Sequence, residues 1–256
     1  MDLGIKGRVA LVAGASRGIG RATAVALARE GVDVYVLARD GAKLAEVADE
    51  IRALGVRAHA IAVDASDRDA LRTALDAARP TLGPPTLLVL SIAAMFKAER
   101  LERVSDATVD HLLATDLRAS IDLCRFTLPA MFDAKFGRIV ALGSLASRVG
   151  HVGGAVYAAT KAALEGLVRG IALEYSRRNV TANVVMPGFT ETERLQERLG
   201  GDEAAREKLE RATATRRLIT AEEVADAIVF LCSARAGSIT GAVIELTGGA
   251  HLNTLW

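Results

Sequence analysis

The sequence predicts a doubly wound α/β domain: a mostly or fully parallel sheet of about seven strands, flanked by helices. Three observations carry this. Short runs of Val, Leu, Ile and Ala alternate with amphipathic stretches of ten or more residues, the pattern of repeated βαβ units. The short runs are apolar throughout, as strands covered on both faces are. A glycine-rich turn, Gly14-Ala15-Ser16-Arg17-Gly18-Ile19-Gly20, joins the first run to the first helix. No low-complexity linker interrupts the alternation, so residues 1–256 are read as one domain.

The elements follow in order. Residues 8–13 form the first strand, ended by the glycine turn. A helix through Ala22, Val25, Ala26 and Leu27 stops at Gly31. Residues 32–38 are the second strand, and 42–54 the second helix, closed by Gly55. A third strand covers 57–63. The helix over 67–79 is expected to end at Pro80, because proline lacks an N–H and crowds the preceding turn. Residues 86–90 give the fourth strand, 106–134 one long helix and 138–142 the fifth strand. A helix over 155–177 leads to a sixth strand over 180–186. A charged segment at 190–217, a helix over 221–233 and a last strand over 242–246 complete the pattern. Each crossover is expected to be right-handed.

Composition narrows the function. The chain is 51% hydrophobic and 25% charged, with a formal net charge of +1. That balance offers no basic stripe for nucleic acid and no attraction to an anionic membrane. Two cysteines, Cys124 and Cys232, both in apolar helical stretches, argue against a disulfide framework and for a reducing cytoplasm. His59, His111, His151 and His251 lack ligand spacing, so no metal site is expected. Neither a charged-then-apolar leader nor an apolar run of about 18 residues is present, and a cytoplasmic protein is expected.

Two constellations carry chemistry. Glycines between a strand and a helix allow a sharp turn and close backbone approach, and the helix N-terminus offers free N–H groups to a pyrophosphate. The spacing here is G-x-x-x-G-x-G. The second strand ends at Arg39, near the position where NAD sites carry an acid for the ribose 2′-hydroxyl. An arginine there accommodates a 2′-phosphate, and Arg17 in the turn can join it, so NADP is favoured over NAD. Asp40 is read as the cap of the second helix. The second constellation is Tyr157 and Lys161, one helical turn apart and on one face, with Ser144 thirteen residues upstream. A free phenol ionises near ~10, too high for proton exchange at neutral pH, and a neighbouring cation favours its ionised form.

Together these residues resemble the short-chain dehydrogenase/reductase family over nearly the whole chain. The motifs fall in order: Gly14-x3-Gly18-x-Gly20, Asp64, Ser144, Tyr157-x3-Lys161, Pro187-Gly188 and Thr240-Gly241. The resemblance implies a single Rossmann domain, commonly in a homotetramer, interconverting a small carbonyl and alcohol with a nicotinamide cofactor. It implies that Tyr157 exchanges the proton, Lys161 supports it and holds the nicotinamide ribose, and Ser144 fixes the carbonyl oxygen. Cofactor contacts are expected from Gly14, Ser16, Arg17, Gly18, Ile19, Gly20, Arg39, Asp64, Ala65, Ala93, Tyr157, Lys161, Pro187, Gly188, Thr190 and Thr192. Segment 190–217 resembles the family's substrate lid, and its charges also suit a solvated helical face. His151 is read as a solvent-edge loop residue.

The chain also departs from the family pattern. Ala13 replaces a common Thr, Ser91-Ile92-Ala93-Ala94 replaces Asn-Asn-Ala-Gly, and Leu246 replaces an Asp. Asp116 stands where a catalytic-tetrad Asn is usual. A carboxylate there, if near Lys161, would weaken the ammonium's field on Tyr157; the other expectation is that Asp116 only caps N–H groups. Lys135 and Arg178 resemble residues that dock acyl carrier protein in 3-oxoacyl reductases, which makes acyl carrier protein or coenzyme A thioesters candidate substrates. The alternative is a non-catalytic NADP-binding sensor or scaffold with an altered tetrad.

Overall fold

The computed structural model describes residues 2–252. Five parallel neighbours form the centre of the sheet: β1 (Val9–Ala13), β2 (Asp33–Ala38), β4 (Leu87–Leu90), β5 (Gly137–Leu142) and β6 (Val180–Pro187). β3 (Ala58–Ala62) and β9 (Val243–Leu246) are its edges, and the order is β3-β2-β1-β4-β5-β6-β9. All six pairings are parallel. The predicted doubly wound sheet of seven strands is thus observed.

The helices divide between the faces. α1 (Gly18–Arg29), α2 (Gly41–Arg52) and α10 (Ala221–Cys232) bury Leu27, Leu44 and Ile228 against one face. α3 (Arg68–Leu82), α5 (Ala119–Asp133) and α7 (Ala155–Tyr175) bury Leu71, Leu123 and Leu164 against the other. Caps hold the starts. Asp40 accepts the Lys43 N–H at 3.1 Å, as expected for α2. Thr220 and Glu223 close a reciprocal capping box on α10.

Several elements differ from expectation. α3 continues through Pro80 to Leu82. The reason lies on another strand: the Tyr35 hydroxyl of β2 accepts the Leu82 N–H at 2.9 Å and bonds the Ala78 carbonyl at 3.1 Å. It therefore bridges the helical donor and acceptor of the last turn. The expected single helix over 106–134 is α4 (Asp106–Leu112), a π-helical turn (Leu113–Arg118) and α5. The wide turn frees the Asp116 carbonyl, which accepts the Ser120 hydroxyl at 2.7 Å. The helix over 155–177 ends at Tyr175, and Asn179 then turns in the left-handed region at φ 56°. Segment 190–217 contains α8 (Glu193–Leu199) and α9 (Glu203–Arg211). A ribbon of β7 (Thr190–Glu191) and β8 (Ile219–Thr220) fastens its two ends.

Candidate active site

In the sheet order the chain reverses direction between β1 and β4, and in such sheets ligands bind beyond the carboxyl ends of the strands at that point. A cleft of about 470 Å³ opens there. Gly14, Ser16, Arg17, Gly18, Ile19, Arg39, Asp64, Ala65, Ala93 and Thr192 line it. Two glycines are demanded by packing. A Cβ on Gly14, at φ +84°, would stand 2.4 Å from the Ser91 carbonyl oxygen. One on Gly20 would stand 2.1 Å from the carbonyl oxygen of Gly14. Gly20 therefore shapes the turn without lining the cleft.

Charge gathers around the end of β2. Arg39 Nη1 lies 4.0 Å from Asp64 Oδ2. Burial pushes the Asp64 carboxyl upward, but hydrogen bonds from the Ser66 side chain and backbone, with Arg39 and His111 nearby, outweigh it and hold it below its ordinary value. Arg17 Nη1 pairs with Glu197 Oε1 of α8 at 2.6 Å. His111 and Thr115 also line this end. Sequence spacing gave no sign of them, because His111 on α4 is far from Asp64 along the chain and nears it only in the fold.

Lys161, with Tyr157 one turn away, is bonded to Ile92 and Leu142 of the cleft wall. Lys161 is 1% exposed, and its Nζ donates to the carbonyls of Ile92 (3.0 Å) and Leu142 (3.3 Å). Leu142 itself lines the cleft. The ammonium stands 5.8 Å from the centre of the Tyr157 ring, one turn back on α7. Phe96 stacks on that ring at 5.1 Å, and His151 meets Phe96 edge-on at 6.3 Å. His151, read as a solvent-edge loop residue, lies in a loop and is half-buried. Ser144 follows β5, and its Oγ accepts the Ala146 N–H at 3.2 Å. Ser147 Oγ donates to the Ser144 carbonyl at 2.8 Å and lies 3.3 Å from Glu165 of α7, tying the Ser144 loop to the Tyr157 helix.

The Asp116 side chain is committed to neighbours other than Lys161. It is fully buried, but Oδ1 accepts the Ala94 N–H at 2.7 Å and Oδ2 accepts the Thr160 hydroxyl at 3.1 Å. Among the described residues it makes no ion pair with Lys161. Its carboxylate points to the loop after β4, so it braces that loop against α7.

Pro187, Gly188 and Thr190 are not among the residues that line the cleft. The Pro187 carbonyl accepts the Leu145 N–H at 3.1 Å. A Cβ on Gly188 would stand 2.9 Å from Thr247 Cα, and Thr190 Oγ1 donates to the Gly188 carbonyl at 3.2 Å. Thr192 caps α8 by accepting the Leu195 N–H at 3.3 Å. Arg194, also on the cleft wall, donates to the Ala94 carbonyl at 2.9 Å. Nothing in the sequence pattern had singled it out.

No helix among the described residues is long and apolar enough to cross a membrane, and no cluster of metal-ligating side chains is present among them. Cys124 and Cys232 are free, buried thiols, each pushed up to about 12 by burial.

Known proteins share this arrangement. A family model described as enoyl-(acyl carrier protein) reductase matches residues 14–251. The 3-oxoacyl-[acyl-carrier-protein] reductase FabG of Pseudomonas aeruginosa is 35% identical, over 98% of this chain and 100% of its own length. The (3R)-3-hydroxyacyl-CoA dehydrogenase of Canis lupus familiaris is 33% identical, covering 98% of each chain. Among solved structures, the 3-oxoacyl (acyl-carrier-protein) reductase of Agrobacterium tumefaciens C58 with NADP bound superposes with a TM-score of 0.91. It is 32% identical, over 97% of this chain and 96% of that one. With the glycine turn, the buried lysine beneath Tyr157 and Ser144 in place, the chain belongs to the short-chain dehydrogenase/reductase family of oxidoreductases.

Proposed function

We propose that this oxidoreductase uses NADPH to reduce a carbonyl to an alcohol, or NADP for the reverse. The observation that carries the reading is Lys161, a buried ammonium held by two main-chain carbonyls one turn from Tyr157. An ammonium has three donors, so one is left for a ribose hydroxyl.

The cleft fits the cofactor. Its turn admits no Cβ at Gly14 or Gly20, and close backbone approach of this kind suits a pyrophosphate at the N-terminus of α1. Ser16, Arg17, Gly18 and Ile19 would hold the phosphates, with Arg39 and Arg17 at the 2′-phosphate. Asp64 and Ala65 would hold the adenine end, and Ala93, Lys161 and Thr192 the nicotinamide end. Bound there, the nicotinamide supplies or takes the hydride. Tyr157 donates its phenolic proton to the carbonyl oxygen, or accepts it in oxidation. Ser144 Oγ hydrogen-bonds that oxygen and fixes it beside Tyr157. Phe96, stacked on Tyr157, limits the phenol's approach to one side.

A 3-oxoacyl thioester is the substrate class that the named relatives favour. Lys135 and Arg178 support it: Asn179 Nδ2, next to Arg178, bonds the Lys135 carbonyl at 3.2 Å, so both basic residues share one edge beside Phe132. An acyl carrier protein is acidic enough to dock on such an edge. Segment 190–217 serves as the substrate lid. A homotetramer in a reducing cytoplasm completes the reading, consistent with the free thiols. A non-catalytic sensor is disfavoured, since binding alone needs no buried ammonium beside a phenol.

The test is NADPH consumption, read by absorbance across ketones, aldehydes and oxoacyl thioesters, with Tyr157→Phe alongside. Turnover that survives the loss of the phenol would remove the proton donor from this scheme.

A further inference from the structure

We propose that Arg194 is a positioning residue for this reaction, clamping the loop after β4 so that docking of α8 orders the proton-relay helix. The inference rests on the carbonyl-reductase reading above. Its starting point is a weakness in the sequence. The loop after β4 runs Ser91-Ile92-Ala93-Ala94 and carries no side-chain amide or charge of its own to brace it. The bracing must come from elsewhere.

The structure supplies it at Ala94, held on both sides. Its N–H donates to buried Asp116 at 2.7 Å, and its carbonyl accepts from Arg194 Nη2 at 2.9 Å. The far oxygen of Asp116 accepts the Thr160 hydroxyl at 3.1 Å, and Thr160 immediately precedes Lys161. Two residues before Ala94, the Ile92 carbonyl takes the Lys161 ammonium at 3.0 Å. Two residues after it, Phe96 stacks on Tyr157. One short loop therefore touches the Tyr157 ring and the Lys161 ammonium, and reaches Thr160 between them through Asp116. Arg194 is its link to α8.

The chemistry of Arg194 suits this use. The neighbouring arginines Arg206 and Arg217 are matched to carboxylates. Arg194 forms no ion pair among the described residues, and its guanidinium donates to the Ala94 carbonyl. A charge-assisted bond to a carbonyl is stronger than a neutral one. Its loss frees the loop on the side of the cleft while Asp116 still holds the other. Small displacements of groups that position a reaction are costly in turnover.

The experiment compares Arg194→Met, Asp116→Ala, Asp116→Asn and the double variant Arg194→Met/Asp116→Ala with the full-length protein. Steady-state kinetics and NADPH affinity by fluorescence are read for each, with Tyr157→Phe as control. Arg194→Met should lower kcat about tenfold while NADPH affinity moves less than about threefold. Asp116→Asn, which can still accept from Ala94 and donate to Thr160, should recover most of what Asp116→Ala loses. The double variant should be no worse than Asp116→Ala, because both changes release one loop. A kcat within about twofold of the parent for Arg194→Met would overturn the clamp. So would a loss confined to NADPH affinity, which would make Arg194 a cofactor ligand, or losses that multiply in the double variant. Should Asp116→Ala not fold, the split between kcat and affinity in Arg194→Met decides. Turnover surviving Tyr157→Phe would sink the reading of the site itself. Turnover lost in Tyr157→Phe but unchanged in Arg194→Met would sink the clamp alone.

Discussion

The two ends of the cleft are built on opposite principles. At the end of β2, Arg39 and Asp64 are 67% and 46% exposed and approach one another at 4.0 Å. Arg17 reaches out to Glu197 across the opening. At the ends of β4 and β5, Lys161 and Asp116 are almost wholly buried and bonded to carbonyls, an N–H and a hydroxyl. Exposed charges are cheap to hold and easily screened, which suits recognition of a charged ligand that must come and go. Buried groups cannot rearrange without leaving polar atoms unsatisfied, which suits a relay set before the substrate arrives. One end selects, and the other is preorganised.

The comparison can be broken most severely at the buried end. Tyr157→Phe keeps the ring and its stack with Phe96 but removes the proton, so kcat should fall by about 10²–10⁴-fold with NADPH affinity little changed. Single-turnover kinetics alongside NADPH titration would show the split. Next in size, Gly20→Ala places a methyl against the Gly14 carbonyl and should destabilise the fold by about 1–3 kcal/mol. Denaturant unfolding measures that loss, and an unchanged midpoint would mean the turn is looser than its geometry indicates.

At the exposed end the effects should be smaller and salt-dependent. Arg39→Ala should raise the KM for NADPH about tenfold and leave that for NADH within about twofold, the gap shrinking at high ionic strength. Equal changes for both cofactors would remove the 2′-phosphate role. The smallest effect concerns acid. Asp64 sits below its ordinary value in the folded chain. Its contribution to stability is therefore full above the ordinary carboxylate range and disappears as pH falls through the lowered value. Asp64→Asn should flatten the acid side of a plot of Tm against pH and leave the neutral side nearly unmoved.

What could be read from the chain follows the range of the interactions. The apolar strands, the glycine turn, the Asp40 cap and the Tyr157-Lys161 spacing depend on neighbours within a turn or two, and all appear where expected. The failures each involve a distant partner. Pro80 stays helical because a hydroxyl arrives from β2. Asp116 bonds the Ala94 N–H and the Thr160 hydroxyl, partners that reach it from the loop after β4 and from α7. Arg194 and His111 reach the cleft only through the placement of α8 and α4 in the fold. The β7–β8 ribbon pairs two-residue strands, too short for any period to show.

The π-helical turn at Leu113–Arg118 has a consequence for chain length. A wide turn holds one residue more than an α-helix of the same rise. Deleting one residue within it would restore regular spacing while α4 and α5 kept their core faces on the sheet. The same deletion inside α5 would rotate every later side chain by about 100°. The helix thus contains one place where an ångström-scale shortening could be absorbed by the fold. It is also the place that aims Asp116, so such a chain would keep its architecture and lose the brace beneath its lysine.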